Sequence, residues 1–399
     1  MTSHVLLVGG MAEFDQFTPI VWALDKHGES VHLLVDESLL SRGDPRETLL
    51  RSLKNVTIHS IRMPSSRIAQ RAWSARKVRK LLTSLDAGLV GVEWGNGIAH
   101  RDQSRGMLRR LKDRFATTPA IQLQLVAREM EIPVVSLPHG HSTKTTLVPS
   151  EHIREVAAAH EGKLPFADRD SFAAYVFASD YHRRVIVENS TMSGENAQVW
   201  GSVRFSREWI DVLYALSPAA SIDSGTRRRV LVFLPKWHNG VDRAQTIALL
   251  RALGSTQGLH VVVAGHIRAR DTALTEDEIA ELNTFDSLHF VGSEWSSIQL
   301  IGWCEVLIDV DSSIAFDAIR LGKVYVRPKY LQSDAVKTIY DLEGGAHQPL
   351  NLSSALDVIT ASTLSPAPVS PNFWSIVAGD GDGSVADRYA ENLERLRAG

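Results

Sequence analysis

Apolar positions along the chain gather into short runs, separated by longer stretches that are polar or of helical period. In the first half, "HVLLVGG", "SVHLLVD", "NVTIHSI", "AGLVGVEWG", "IPVVSLP", "AYVFAS" and "AQVWGS" each read as a strand, being short, rich in branched residues and closed by turn formers. Between them the spacing changes: in "RIAQRAWSARKVRKLLTSL" the apolar Trp73, Val78, Leu81, Leu82 and Leu85 lie near helical spacing. Strands alternating with helices predict parallel sheets with helical crossovers. The pattern breaks at "SPAASIDSGTRRR" and restarts with "VLVFLP", "LHVVVAG", "LHFVG", "CEVLIDV" and "KVYVRP". Two α/β domains are therefore expected, over residues 1–215 and 229–365, with a linker at 216–228. Residues 366–399 supply a closing loop and an amphipathic helix, "VADRYAENLERLRA".

Composition narrows the class. At 399 residues the chain exceeds one ordinary core, and 44% hydrophobic with 22% charged residues is a globular balance. The single cysteine, Cys304 in "IGWCEV", excludes an internal disulfide and a multi-cysteine metal site, and suits a reducing cytosol. The apolar start "SHVLLVGG" is too short for a signal sequence, and no run of about 18 apolar residues exists. A cytoplasmic protein is expected, peripheral at the inner face of a membrane if it meets one at all. The net charge of −3 is unevenly spread: residues 51–150 hold 17 Lys/Arg against 6 Asp/Glu. The excess lies in the stretch with Arg67, Arg71, Arg76, Lys77, Arg79 and Lys80, and in "HRDQSRGMLRRLKDRF" with Arg101, Arg105, Arg109, Arg110, Lys112 and Arg114. Two solvated helices account for this, as does a surface for anionic lipid or an anionic acceptor. No nucleic-acid motif accompanies the charge, so nucleic acid is not an expected partner.

Chemistry concentrates in four loops. "VSLPHGHSTKTT" ends a strand at Pro138 and places His139 at its carboxyl end, where ligands bind in open α/β sheets. Gly140 lets the backbone turn or approach a ligand there. Histidine is the usual general acid or base, and the competing reading is an imidazole that only hydrogen-bonds a neighbouring loop. In "LIDVDSSIAFDAIRLGKVYV" a strand runs into Ser312 and Ser313 at an expected helix start, with Asp317 one turn on. The hydroxyls and amides suit a phosphate, or simply cap the helix. "VLVFLPKWHNG" delivers Lys236, Trp237 and His238 from a strand end, and "LHVVVAGHIRAR" delivers His266 and Arg268. These three loops of the second domain share one sheet edge, and a cation with an aromatic there can hold phosphate and a base.

In order and spacing, His139-Gly140, Gly201 with Arg204, Pro235 with Trp237, His266, Ser312-Ser313 with Asp317, and Gly322-Lys323 resemble the CDP-glycerol glycerophosphotransferases and related capsular polysaccharide transferases. The resemblance covers roughly residues 130–330. It implies an α/β chain of two Rossmann-like domains in the GT-B architecture, with a cleft between them. The N-terminal domain would take a glycan or lipid-linked acceptor, with Gly140, His141, Lys144 and Arg204 at the cleft. The C-terminal domain would take a nucleotide-activated donor, a CMP, CDP or UDP conjugate, on Lys236, Trp237, His238, Arg268, Ser312, Ser313 and Asp317. His139 and His266 would be catalytic and face each other. Departures from the pattern, Ile267 after His266, "PKWH" for a usual "PTWR", and Val203 and Ser206 around Arg204, favour a glycosyltransferase of cell-surface polysaccharide assembly over a strict glycerophosphotransferase. A UDP-sugar 2-epimerase is the alternative, and would need no acceptor. No histidine pair has helical ligand spacing beside carboxylates, so neither metal nor cofactor is expected beyond the donor itself.

Overall fold

All twelve apolar runs fold as strands. The computed structural model describes the chain except for residues 1, 41–43, 63–72, 94–117, 139, 146–150, 266–273, 293, 311, 333–335 and 380–382. β1 (Ser3–Val8), β2 (Val31–Asp36), β3 (Val56–Ile61), β4 (Ala87–Glu93), β5 (Val134–Leu137), β6 (Ala174–Phe177) and β7 (Ala197–Val199) form one sheet in the order β3-β2-β1-β4-β5-β6-β7. β8 (Arg228–Phe233), β9 (Leu259–Ala264), β10 (Leu288–Val291), β11 (Val306–Ile308) and β12 (Val324–Val326) form a second, in the order β10-β9-β8-β11-β12. Every pairing in both is parallel. Central strands read as continuous apolar runs because helices cover both faces of such sheets.

Each sheet belongs to its own compact unit: Met1–His141, Ile153–Trp209 and Trp374–Gly399 make the first, Ser142–His152 and Ile210–Phe373 the second. The division departs from the expected boundaries. The chain passes to the second unit within the helix Arg207–Leu216, so the polar stretch 216–228 is part of that unit. The closing helix Val385–Ala398 returns to the first unit, burying Val385, Ala386, Tyr389, Ala390 and Leu393. The first core includes Leu7, Leu34, Val90, Val126 and Tyr175; the second includes Val230, Leu250, Val261, Ile308 and Val326. Cys304 is buried, and burial pushes its thiol up to about 12, leaving it inert. Among the described residues no helix is long and apolar enough to cross a membrane.

Two buried histidines make stability depend on pH. His4, on β1, is fully buried with Nε2 3.2 Å from the Glu29 carboxylate, yet burial and then the Arg397 guanidinium hold its pKa down to about 4. His260, on β9, lies against His289 and Trp303, and burial, then His289, brings it also to about 4. Both folded values lie below the ordinary unfolded value of about 6.5, so the unfolded chain binds more protons between them. Their contribution is fully present above pH ~6.5 and falls as pH drops towards 4, by up to about 1.4 kcal/mol per pH unit per histidine. Denaturant titrations at pH 7 and 5 should show this loss, and His260→Leu should remove its share of the slope.

Candidate functional site

In open parallel sheets a ligand crevice forms outside the carboxyl ends of the strands, where the strand order reverses. The first sheet reverses between β1 and β4, the second between β8 and β11.

In the first unit β1 runs through Gly9 into Gly10, which precedes the helix Met11–Lys26 in an extended conformation. A Cβ on Gly10 would lie 2.6 Å from Glu13 Oε2, so the helix's own carboxylate folds over its first turn. A negative side chain there satisfies the helix dipole from within. Beside it is a cluster absent from the sequence expectations. Buried Arg46 donates to Asp44 at 2.8 and 2.6 Å and also to Asp15, while Arg204 Nε donates to the same Asp15 oxygen at 2.8 Å. Arg204 is 2% exposed. Its guanidinium is committed to Asp15 and to the face of Phe205, rather than held out towards an acceptor. Gly201, three residues earlier, has φ +91°, and a Cβ there would sit 2.5 Å from the Ala378 carbonyl oxygen. Ser202 N–H donates to that carbonyl at 2.8 Å, and Tyr389 O–H donates to the Gly201 carbonyl at 3.0 Å. Gly201 and Ser202 are thus the fitting against which the C-terminal segment closes.

His139 lies outside the described residues, between Pro138 and Gly140 at the end of β5. Gly140 does not have positive φ, and a Cβ on it would meet nothing within 4 Å, so the backbone itself does not demand glycine there. His141 donates from Nε2 to the Val377 carbonyl at 2.6 Å and packs edge-on against His182, with ring centroids 4.6 Å apart, and against Phe205. Ser179 Oγ is 3.2 Å from His182 Nδ1, extending the contact. Lys144 belongs to the second unit, where it forms an antiparallel bridge with Thr338.

In the second unit two expected loops flank the reversal. After β8, Lys236 and Trp237 enter a short 3₁₀ turn, Trp237–Asn239, that ends at Gly240 with φ +72°. Lys236 is half-buried and has no ion-pair partner among the described residues. Trp237 packs on the core with the Arg243 guanidinium 5.7 Å from its ring centre, and its indole N–H has no hydrogen-bond partner among the described residues. The His238 side chain lies outside the described residues, as do His266 and Arg268 beyond β9. After β11, buried Asp309 accepts from Ser312 N–H at 2.9 Å, and Ser312 Oγ accepts from Ile314 N–H at 3.3 Å. The helix begins only at Ala315, later than expected, so Ser312 and Ser313 lie in the turn before it, both half-buried. Asp317 is fully buried and accepts from Tyr214 O–H at 3.2 Å, which fits it to anchor the helix rather than to touch a ligand. Lys323 likewise spends its ammonium on the Gly302 and Cys304 carbonyls, at 3.1 and 2.8 Å. The loops therefore bring Lys236, Trp237, Ser312 and Ser313 to one strand-order reversal. No group of three or more potential metal ligands occurs among the described residues.

No protein-family model matches this sequence. No curated protein matches it by sequence. Its fold does match solved structures. A UDP-GlcNAc 2-epimerase from Methanocaldococcus jannaschii superposes over 100% of both chains with a TM-score of 0.60 at 11% identity. One from Neisseria meningitidis, bound to UDP-GlcNAc, does so over 100% of both chains at 0.57 and 12%. A glycosyltransferase from Rickettsia africae matches over 100% of this chain and 93% of its own, with a TM-score of 0.51 and 12% identity. The two-domain architecture of parallel sheets is thus shared with GT-B-type proteins.

Proposed function

We propose that this chain is an enzyme acting on a nucleotide sugar, and that the reaction is epimerisation at carbon 2 of the sugar. The observation that carries the reading is end-to-end likeness to UDP-GlcNAc 2-epimerases, covering the whole of both chains. The second unit supports it from within. Lys236 would meet diphosphate charge, Trp237 would offer an aromatic surface to the base, and Ser312 and Ser313 would donate to phosphate oxygens. Inversion at carbon 2 requires that a base take the proton there while that bond's electron pair expels the nucleotide from carbon 1, and that a proton and the nucleotide then add back across the resulting double bond, the proton on the opposite face. A histidine at the end of β5 suits that exchange at neutral pH.

Transfer of the sugar, or of a glycerophosphate from a CDP conjugate, onto a glycan or lipid-linked acceptor is the second reading. It is favoured by the resemblance of "LPHG" and "SSIAFD" to the glycerophosphotransferases. The protein incubated with UDP-GlcNAc in deuterated water distinguishes them. Epimerisation incorporates deuterium at carbon 2 with no acceptor present, read by proton NMR. Nucleotide release that begins only when an acceptor is added establishes transfer instead. No binding of UDP, CDP or their conjugates would remove both readings. Ser312→Ala/Ser313→Ala should weaken UDP binding at least roughly tenfold by calorimetry, because a hydrogen bond to a charged group is worth about 1.5–3 kcal/mol. Unchanged affinity in the folded variant removes the serines from the site.

A further inference from the structure

The helix Ala75–Ser84 inverts the usual placement of charge. Three helices of the first unit put acid in the first turn and base in the last, with Glu13 and Lys26 in Met11–Lys26, Glu47 and Arg51 in Pro45–Ser52, and Asp387 with Arg395 and Arg397 in Val385–Ala398; Asp180–Glu188 keeps the acid and Pro119–Glu129 the base. That order follows the helix dipole. Ala75–Ser84 has no acidic residue, and its first turns carry Arg76, Lys77, Arg79 and Lys80, all exposed. Only Arg79 has an ion-pair partner among the described residues, the exposed Glu129. Cations at a helix start cost stability, so their accumulation here calls for a compensating use.

The arrangement indicates what that use is. Val78 and Leu82 are buried and point the apolar side into the first core. At 100° per residue, Arg76, Lys77, Arg79, Lys80, Thr83 and Ser84 share the opposite arc, and all are exposed. That arc contains no apolar side chain to insert into hydrocarbon and no aromatic to stack on a nucleobase. It is a convex, purely cationic and hydroxylated face about 15 Å long, the length of ten residues. We propose that this helix face docks the protein onto an anionic phospholipid surface, by headgroup attraction without insertion.

Flotation of the full-length protein with phosphatidylcholine vesicles, with and without phosphatidylglycerol, tests the proposal. Binding is expected only with the anionic lipid, and it should fall as salt rises to physiological strength, where attraction is screened over about 8 Å. A cation near an anionic surface is worth about fivefold in partitioning, so Arg76→Gln/Lys77→Gln/Lys80→Gln should bind about 100-fold more weakly. The variant's unfolding midpoint should stay at or above the parent's, since the replaced cations oppose the dipole; this separates lost docking from lost fold. The proposal is overturned by equal binding to neutral vesicles, or by anionic binding that survives the triple replacement. Retention on heparin without any vesicle binding also overturns it, and assigns the face to a soluble polyanion.

Discussion

His139→Ala should lower turnover by about 10²- to 10⁴-fold while leaving UDP affinity within about twofold, the range expected when a general acid or base is removed. The two histidines of this loop are not equivalent. His141 uses its Nε2 proton on the Val377 carbonyl and wedges its ring between His182 and Phe205, so its place is structural. Pro138 closes β5 at the edge where open parallel sheets carry their ligands, and His139 is the next residue in the sequence. A neutral imidazole there can take a proton from sugar carbon in epimerisation, or from an acceptor hydroxyl in transfer, so the prediction holds for both readings. His141→Ala should instead lower stability, with turnover per folded molecule reduced far less. Single-turnover kinetics on folded variants decide between them. Abolished turnover in His141→Ala, with near-normal turnover in His139→Ala, would falsify the assignment.

The largest structural effect is expected at Gly201. A side chain at φ +91° is strained by about 1–3 kcal/mol, and a Cβ 2.5 Å from the Ala378 carbonyl forces the backbone itself to shift. That shift breaks the Ser202–Ala378 and Tyr389–Gly201 hydrogen bonds, each worth about 1 kcal/mol. Gly201→Ala should therefore destabilise the first unit by roughly 3–5 kcal/mol, measured by denaturant titration, and make the C-terminal helix susceptible to protease. Gly140→Ala is the matched control. With open space around its Cβ and no positive φ, it should change stability by no more than about 0.5 kcal/mol. An equal loss in both variants would show that the close approach at Gly201 is not what matters.

The central strands were legible because parallel strands buried on both faces are short branched runs, a signal carried within a few residues, and the half-buried edge strands β3, β7 and β10 kept enough branched residues to read the same way. What depended on distance along the chain was not. Arg204 looked like a cleft residue because nothing near it announces Asp15, 189 positions away. Asp317 looked like a ligand because its carboxylate was visible, but the Tyr214 hydroxyl that donates to it was not. The polar stretch 216–228 resembled a linker by composition, yet the chain crosses earlier, inside a helix whose amphipathic pattern runs on unbroken. Amphipathicity also showed that Val385–Ala398 covers a core, without showing which one. Lys236, Trp237, Ser312 and Ser313 were legible as strand-end residues, but their common place at a strand-order reversal required the sheet order itself.

The return of residues 374–399 to the first unit has a consequence for biosynthesis. A ribosome delivers β1 to β7 early, but the helix that covers them with Tyr389 and Leu393 emerges only after the whole of the second sheet. Until then the apolar seat for that helix stands open, and its polar stitches, Arg397 to Glu29, Asp387 to His27 and Ser384 to Glu208, are still unmade. The second unit, nearly continuous from Ile210 to Phe373, can close while the first is still incomplete. The half of the molecule synthesised first is thus the last to finish folding, and throughout elongation it is the half that most needs shielding from aggregation.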